Sequence, residues 1–230
     1  MTKLRLKVDS IIFDMDGVIT HTMPDHYRSW KTVLHRIGVP VTHYDIYSRE
    51  GQRGIQSVRE ILAQYQKPFE GREALKLLKD KEKYFKKIVR TRFIAGARTF
   101  IKRLHKNDFR LALVTGTSRH ELRRILPKVW YDLFDVVVTG SDVRRGKPHP
   151  EPYLRSLSKL CIQPCEAVAI ENAPLGIQAA KNAGLRCLAL ETSLSREHLK
   201  DSDAVFRSIK ELERRVQFVK GKKGKACRHP

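Results

Sequence analysis

Short apolar runs recur along the chain at residues 8–13, 111–114, 136–138, 168–170 and 187–190, each too short for a helix and flanked by polar or turn-forming residues. Unbroken runs of this kind mark strands buried on both faces. Between them, residues 96–106, 119–126, 150–160 and 175–183 place apolar side chains at three- and four-residue spacing, so from residue 96 onward strand and helix patterns alternate. Such alternation restricts the chain to an α/β fold with a Rossmann-like, doubly wound parallel sheet, which takes ligands outside the carboxyl ends of its strands.

The stretch from residue 24 to 93 breaks this rhythm. It holds helical patterns at 27–36, 55–64 and 73–92 and no convincing strand, the last being a Lys-rich amphipathic surface helix. The organisation expected is a Rossmann-like core from residues 1–16 and 96–206, a small helical domain at 17–95 inserted after the first strand, and a basic C-terminal helix and tail at 207–230. The tail QFVKGKKGKACRHP carries little apolar content to bury, and its end is expected to be mobile. There is no internal repeat, which removes solenoids and coiled coils.

With 46 Lys and Arg against 25 Asp and Glu, the 230-residue chain has a net charge of +21. Such a field attracts nucleic acid, anionic membranes and anionic metabolites, and it is equally the field of a basic solvated surface with no dedicated partner. No apolar run approaches the roughly 18 residues of a membrane span. The N-terminus MTKLRLKVDSIIFD enters a strand pattern directly instead of a signal peptide, so a soluble, cytoplasmic protein is expected. Four cysteines, Cys161, Cys165, Cys187 and Cys227, are too few and too irregular to staple the chain, and the CxxxC pair lacks the partners of a zinc site.

Chemistry concentrates in IIFDMDGVIT, residues 11–20, where an apolar strand runs into Asp14 and Asp16 and then Gly17. Residues two apart in a strand face the same way, so both carboxylates start on one side at the mouth of the sheet before the glycine lets the chain turn. Two close acids repel, which raises a pKa or recruits a cation. As an ordinary strand-to-turn junction the pair would be turn formers only. The segment GSDVRRGK superficially suggests a phosphate loop, but its spacing is one residue too long and proline follows Lys147 where Ser or Thr is needed.

DMDGV resembles the first signature of the haloacid dehalogenase-like superfamily, and the others follow in order: LALVTGTS with Thr115, GKPHPEPY with Lys147, and VAIENAPLGIQAAKNAG with Glu171 and Asn172. The resemblance implies a Mg²⁺-dependent phosphoryl-transfer enzyme with Asp14 as nucleophile and Asp16 as general acid/base. Thr115 and Lys147 would hold the phosphoryl oxygens, with Gly116 and Thr117 beside them on the substrate. The metal would sit on Asp14, Asp16 (through its backbone carbonyl), Glu171 and Asn172. Most relatives carry paired acids at the last two positions; here the second is an amide, an oxygen donor that brings no charge.

The insert between the first and second signatures resembles the α-helical cap of the β-phosphoglucomutase and phosphoglycolate phosphatase branch. Asp16 argues against dehalogenases and phosphonatases, which lack it. Thr22, His26 and Trp30 stand at spacings similar to those of the mutases, although His26 and Trp30 serve equally well as helix packing. Arg49 and Arg53 in the cap loop SREGQRG are candidates to grip a distal phosphate, and Lys81 falls near, but not on, the expected cap lysine position. The expectation is a monomeric phosphatase of a small phosphorylated metabolite such as a sugar phosphate, with a phosphomutase as the alternative. A nucleic-acid or ribosome-binding module on the same scaffold is the alternative of another class, and a weak polyanion affinity is compatible with catalysis.

Overall fold

The computed structural model describes residues 3–221. Its strands are β1 (Leu4–Val8), β2 (Ser10–Phe13), β3 (Arg110–Val114), β4 (Val136–Val138), β5 (Ala167–Glu171), β6 (Arg186–Leu190), β7 (Ala204–Phe206) and β8 (Val216–Lys220). Six of them form a parallel sheet in the order β4-β3-β2-β5-β6-β7, with Phe13 paired to Leu113 on one side and to Ile170 on the other. The chain winds outward from β2 through β3 to β4, then returns to β5 and winds the other way. That reversal opens a crevice at the carboxyl end of β2.

Side chains alternate across the sheet. Ile11, Phe13, Leu111, Val168, Ile170 and Leu188 meet one helical layer. It includes α5 (Ala97–Lys106) and α10 (Ile209–Arg215), which deliver Phe100, Ile101 and Leu104, and Ile209 and Leu212. On the opposite face, Ile12, Ala112, Ala169, Cys187 and Ala189 meet α8 (Glu151–Leu160) and α9 (Pro174–Asn182). Alanines on that face let the two helices lie close. The remaining core helices, α6 (Arg119–Ile125) and the single turn α7 (Lys128–Tyr131), lie between β3 and β4.

The insert consists of α1 (Met23–His35), α2 (His43–Tyr47), α3 (Gly54–Gln64) and α4 (Gly71–Ile88) around its own core of Trp30, Leu34, Ile46, Val58 and Ile61. Pro24 in the first turn of α1 starts that helix before Tyr27, where the apolar period begins. α2 is too short for a periodic signal and is fixed by a capping box between Thr42 and Asp45. The buried residues of α4, Ala74, Lys81 and Phe85, form one stripe on an otherwise solvated helix. Two connections join cap to core side by side: His21 N–H donates to the Arg92 carbonyl at 2.8 Å and Ile94 N–H to the Ile19 carbonyl at 2.9 Å.

The first apolar run divides at Asp9. β1 leaves the main sheet and pairs in parallel with β8, from Leu4 opposite Val216 to Val8 opposite Lys220. The segment read as the start of a featureless tail is therefore a strand, with Val216 buried and Phe218 against the core; its Gln and Lys positions masked the pattern. The end of the tail and Cys227 lie outside the described residues.

Close helix packing on the alanine face gives a direct test. Ala169→Leu should cost about 1–3 kcal/mol by overpacking. Leu154→Ala, at a side chain exposed on α8, should stay within about 0.5 kcal/mol, both read as urea midpoints at unchanged slope.

Candidate active site

Asp14 follows β2 directly, its N–H donating to the Ile170 carbonyl at 3.0 Å to prolong the ladder. The chain then turns tightly: the Ile19 and Thr20 N–H groups both donate to the Met15 carbonyl at 2.9 Å. Gly17 has φ +88°, and a Cβ there would stand 2.2 Å from Asn172 Nδ2, so the turn admits no side chain. The pair of aspartates is thereby held against the end of β5, where Glu171 and Asn172 sit.

Lys147 is 1% exposed, and its Nζ donates at 2.6 Å to Asp14 Oδ1 and at 2.6 Å to Glu171 Oε1. Tyr153 from α8 donates to the same Glu171 oxygen, and the Asn172 N–H reaches Glu171 Oε2 at 3.2 Å. Burial pushes Asp14 up; the Lys147 ammonium opposes this, Glu171 and Asp16 add to it, and the result is about 8. Despite its own burial, Lys147 is raised by the two carboxylates, so it is held charged.

Asp16 has the opposite balance. Burial would raise it, but hydrogen bonds and charge from His26, then hydrogen bonds from Thr22 and Thr117, hold it below the usual range. Thr22 Oγ1 donates to Asp16 Oδ1, while Thr117 Oγ1 donates to Oδ2 at 3.1 Å and Thr115 Oγ1 lies 3.5 Å from that oxygen. His26 Nε2 is 3.5 Å from Asp16 Oδ1, and its Nδ1 lies 3.1 Å from the buried Lys81 Nζ. The imidazole stacks on Phe85 with 4.2 Å between centroids. A line thus runs from the cap lysine through His26 to Asp16.

The cap loop closes over this floor. Gly51, at φ +76°, lies so near Lys147 that a Cβ would meet its Cδ at 2.5 Å, and a Cβ on Gly116 would meet the Gly51 carbonyl oxygen at 2.5 Å. A cavity of about 290 Å³ remains between cap and core, walled by Asp16, His26, Arg49, Glu50, Lys81 and Thr117 among others. Of the two arginines read as phosphate grips, Arg49 is held within the cap by the Asp45 carbonyl and Gln64, while Arg53 donates to the Arg144 carbonyl of the core at 2.7 Å. Both reach the cavity wall. Glu50 between them was passed over in the motif SREGQRG, although it is 6% exposed and its partner is Asn172 Nδ2 at 2.8 Å.

A model of the haloacid dehalogenase-like hydrolases matches residues 11–190, from β2 through β6. The chain belongs to this family. Within it, the chain is similar to the validoxylamine A 7'-phosphate phosphatase of Streptomyces hygroscopicus subsp. limoneus, 29% identical over 204 residues that cover 87% of this chain and 94% of that protein. The phosphorylated carbohydrates phosphatase of Thermotoga maritima is 31% identical over 186 residues, 77% of this chain and 82% of that one. Among solved structures, the β-phosphoglucomutase of Clostridium difficile superposes with a TM-score of 0.79 at 25% identity, covering 89% and 93% of the two chains. The haloacid dehalogenase-like fold accounts for the order of the signature segments, which the sheet gathers at one crevice. Among the described residues no helix is long and apolar enough to cross a membrane.

The electrostatics of Asp14 carry a sign that can be checked without substrate. A carboxyl raised from 3.8 to about 8 binds a proton in the folded chain that the unfolded chain has lost, so its contribution to stability falls as pH rises through that window. In chelator, Asp14→Asn should melt higher than the parent, and the gain should grow between about pH 5 and pH 8. A gain independent of pH would place the retained proton elsewhere.

Proposed function

We propose that the protein is a Mg²⁺-dependent phosphatase of a small phosphorylated metabolite, a sugar phosphate by its relatives, acting through an aspartyl phosphate. The observation that carries this reading is the juxtaposition, at one strand end, of Asp14 held by Lys147 and Asp16 held by threonine hydroxyls. A carboxylate in the first place is a nucleophile and one in the second is a proton carrier.

Asp14 attacks phosphorus as the bond to the leaving oxygen breaks, and that oxygen takes a proton from Asp16. Asp16 stands among donors that favour its anion, so it acquires that proton as the phosphate dianion arrives, since a like charge raises its proton affinity. In the second half the Asp16 carboxylate takes a proton from water, which attacks the aspartyl phosphate, releases inorganic phosphate and restores Asp14. Lys147 steadies the charge that develops on the phosphoryl oxygens, and the Thr115 to Thr117 turn offers hydroxyl and backbone donors to them. The closed cap keeps bulk water out while this happens.

The residues suit the cation. Asp14 Oδ2 and Asn172 Oδ1 are buried acceptors without a hydrogen-bond partner, both hard oxygens. Together with the Asp16 carbonyl they would hold Mg²⁺; Glu171, with Lys147, Tyr153 and the Asn172 N–H on its two oxygens, is a positioning residue. Bound there, Mg²⁺ supplies positive charge that keeps Asp14 ionised and offsets the phosphate. Among the described residues no three His, Cys, Asp or Glu side chains form a metal cage by themselves, so amide and carbonyl oxygens complete the set.

The line from Lys81 through His26 to Asp16 favours a phosphomutase as the second reading. It ties the acid/base to the position of the cap, as an enzyme needs if it is to withhold its aspartyl phosphate from water. The groove of Lys79, Lys83, Lys86, Lys87 and Arg124, with Glu82 as its one acid, supports a secondary affinity for polyanions, which would weaken steeply with salt.

Phosphate release from a panel of phosphorylated metabolites, with Mg²⁺ and with chelator, tests the main reading. Asp14→Asn should abolish release with the fold intact, and Asp16→Asn should lower kcat by about 10²–10⁴-fold. Interconversion of hexose phosphates without net phosphate release would select the mutase.

A further inference from the structure

Glu50 has no part in the mechanism above, yet it lies at the centre of the site. It comes from the loop between α2 and α3, so it belongs to the cap, and it lines the cavity between cap and core. One oxygen, Oε2, accepts from Asn172 Nδ2 at 2.8 Å; the other, Oε1, is buried and has no partner. Asn172 is fully buried, and its Nδ2 also meets Ser193 Oγ at 2.8 Å, which turns the amide so that Oδ1 is left unpartnered. Asp14 Oδ2 is the third buried acceptor in this group without a donor.

Charge is as uneven as hydrogen bonding. Asp14, Asp16, Glu50 and Glu171 are four buried carboxylates, and both carboxylate bonds of Lys147 go to Asp14 and Glu171. Among the described residues no Lys, Arg or His forms an ion pair with Glu50. Burying a carboxylate beside three others, with an oxygen unsatisfied, costs several kcal/mol unless a cation or a proton joins it.

We propose that Glu50 is a divalent-cation ligand carried by the cap: closure sets its carboxylate beside Asn172 and Asp14, supplies the charge that the asparagine lacks, and makes Mg²⁺ binding and cap closure one linked equilibrium. This rests on the phosphoryl-transfer reading of the same site. By reciprocity, a cation that binds the closed form more tightly must hold the cap closed, and cap opening must weaken the cation.

The test is calorimetric titration of Mg²⁺ into the parent, Glu50→Gln and Glu50→Asp proteins, alongside hydrogen exchange of residues 48–53 with Mg²⁺ and with chelator. Glu50→Gln should weaken Mg²⁺ binding by about tenfold or more, and Glu50→Asp, which keeps the charge but shortens the reach, by a smaller factor. Mg²⁺ should slow exchange in the cap loop of the parent and not in Glu50→Gln. In chelator Glu50→Gln should melt no lower than the parent, since a neutral amide of the same size replaces a buried carboxyl, so weak binding cannot be ascribed to unfolding. Equal Mg²⁺ affinity in parent and Glu50→Gln, with the parent hydrolysing phosphate esters, would overturn the role of Glu50 alone. A parent that neither binds Mg²⁺ nor releases phosphate would overturn both this proposal and the reading beneath it.

Discussion

The ends of four strands converge on one ammonium. Lys147 Nζ stands 2.6 Å from Asp14 Oδ1 beyond β2, 2.6 Å from Glu171 Oε1 at the end of β5 and 3.3 Å from the Val114 carbonyl at the end of β3, and Lys147 itself comes from the connection between β4 and α8. Parallel strands give these residues a common edge but no common point; the buried charge supplies the point. Its value is conditional, because two carboxylates out of water with no cation would repel each other more than their burial returns. The sheet geometry and the charge therefore need each other: β2, β3 and β5 bring the acids within reach of one lysine, and the lysine makes their proximity tolerable.

The cap is a second body held against this centre by a seam of backbone. Gly51 lies on Lys147, and Gly116 lies on Gly51, at distances where a methyl group would collide. Arg53 fastens the seam from the cap side by donating to the Arg144 carbonyl. The two connections at 17–22 and 89–96 run paired, and between them the insert packs around its own core of Trp30, Ile46 and Ile61. With Asp14 at 1% exposure, this arrangement seals its carboxylate, and a ligand would reach it only if the seam parted. The surrounding field, from a net charge of +21, draws anions to a crevice whose own lining is acidic.

Most of the core was legible because its signals are local. Ser10–Phe13 is buried on both sides and reads as a continuous apolar run, and the helix patterns from residue 96 onward fall within a residue or two of α5, α6, α8 and α9. Features that depend on distant partners were not legible. β8 is a strand because β1 is available to pair with it, and its alternation with Gln and Lys gives no apolar run. α2, although fixed locally by a capping box, is too short to show a period. At the site, spacing brought out Asp14 and Asp16, and the resemblance of the ordered signature segments brought out Thr115 and Lys147; the fold gathers all four. Arg49 and Arg53 drew attention by their charge, whereas the acid between them carries no local signal of a role. Only the approach of cap to core, across 122 residues of sequence, places Glu50 on Asn172.

Asn172 and Glu50 make sense as a pair. An aspartate at position 172 would face the Glu50 carboxylate across the closed seam, and before any cation arrived the two charges would drive the cap open. The amide removes that repulsion and adds attraction, since Nδ2 donates to Glu50 while Oδ1 remains a hard donor for a metal. Gly17 completes the arrangement by leaving room for the amide, whose Nδ2 would lie 2.2 Å from any Cβ there. The departure from paired acids thus moves one carboxylate from the sheet to the cap without reducing the number at the site. What changes is timing: a ligand on the sheet is present in every state of the enzyme, whereas one on the cap is present only when the site is closed.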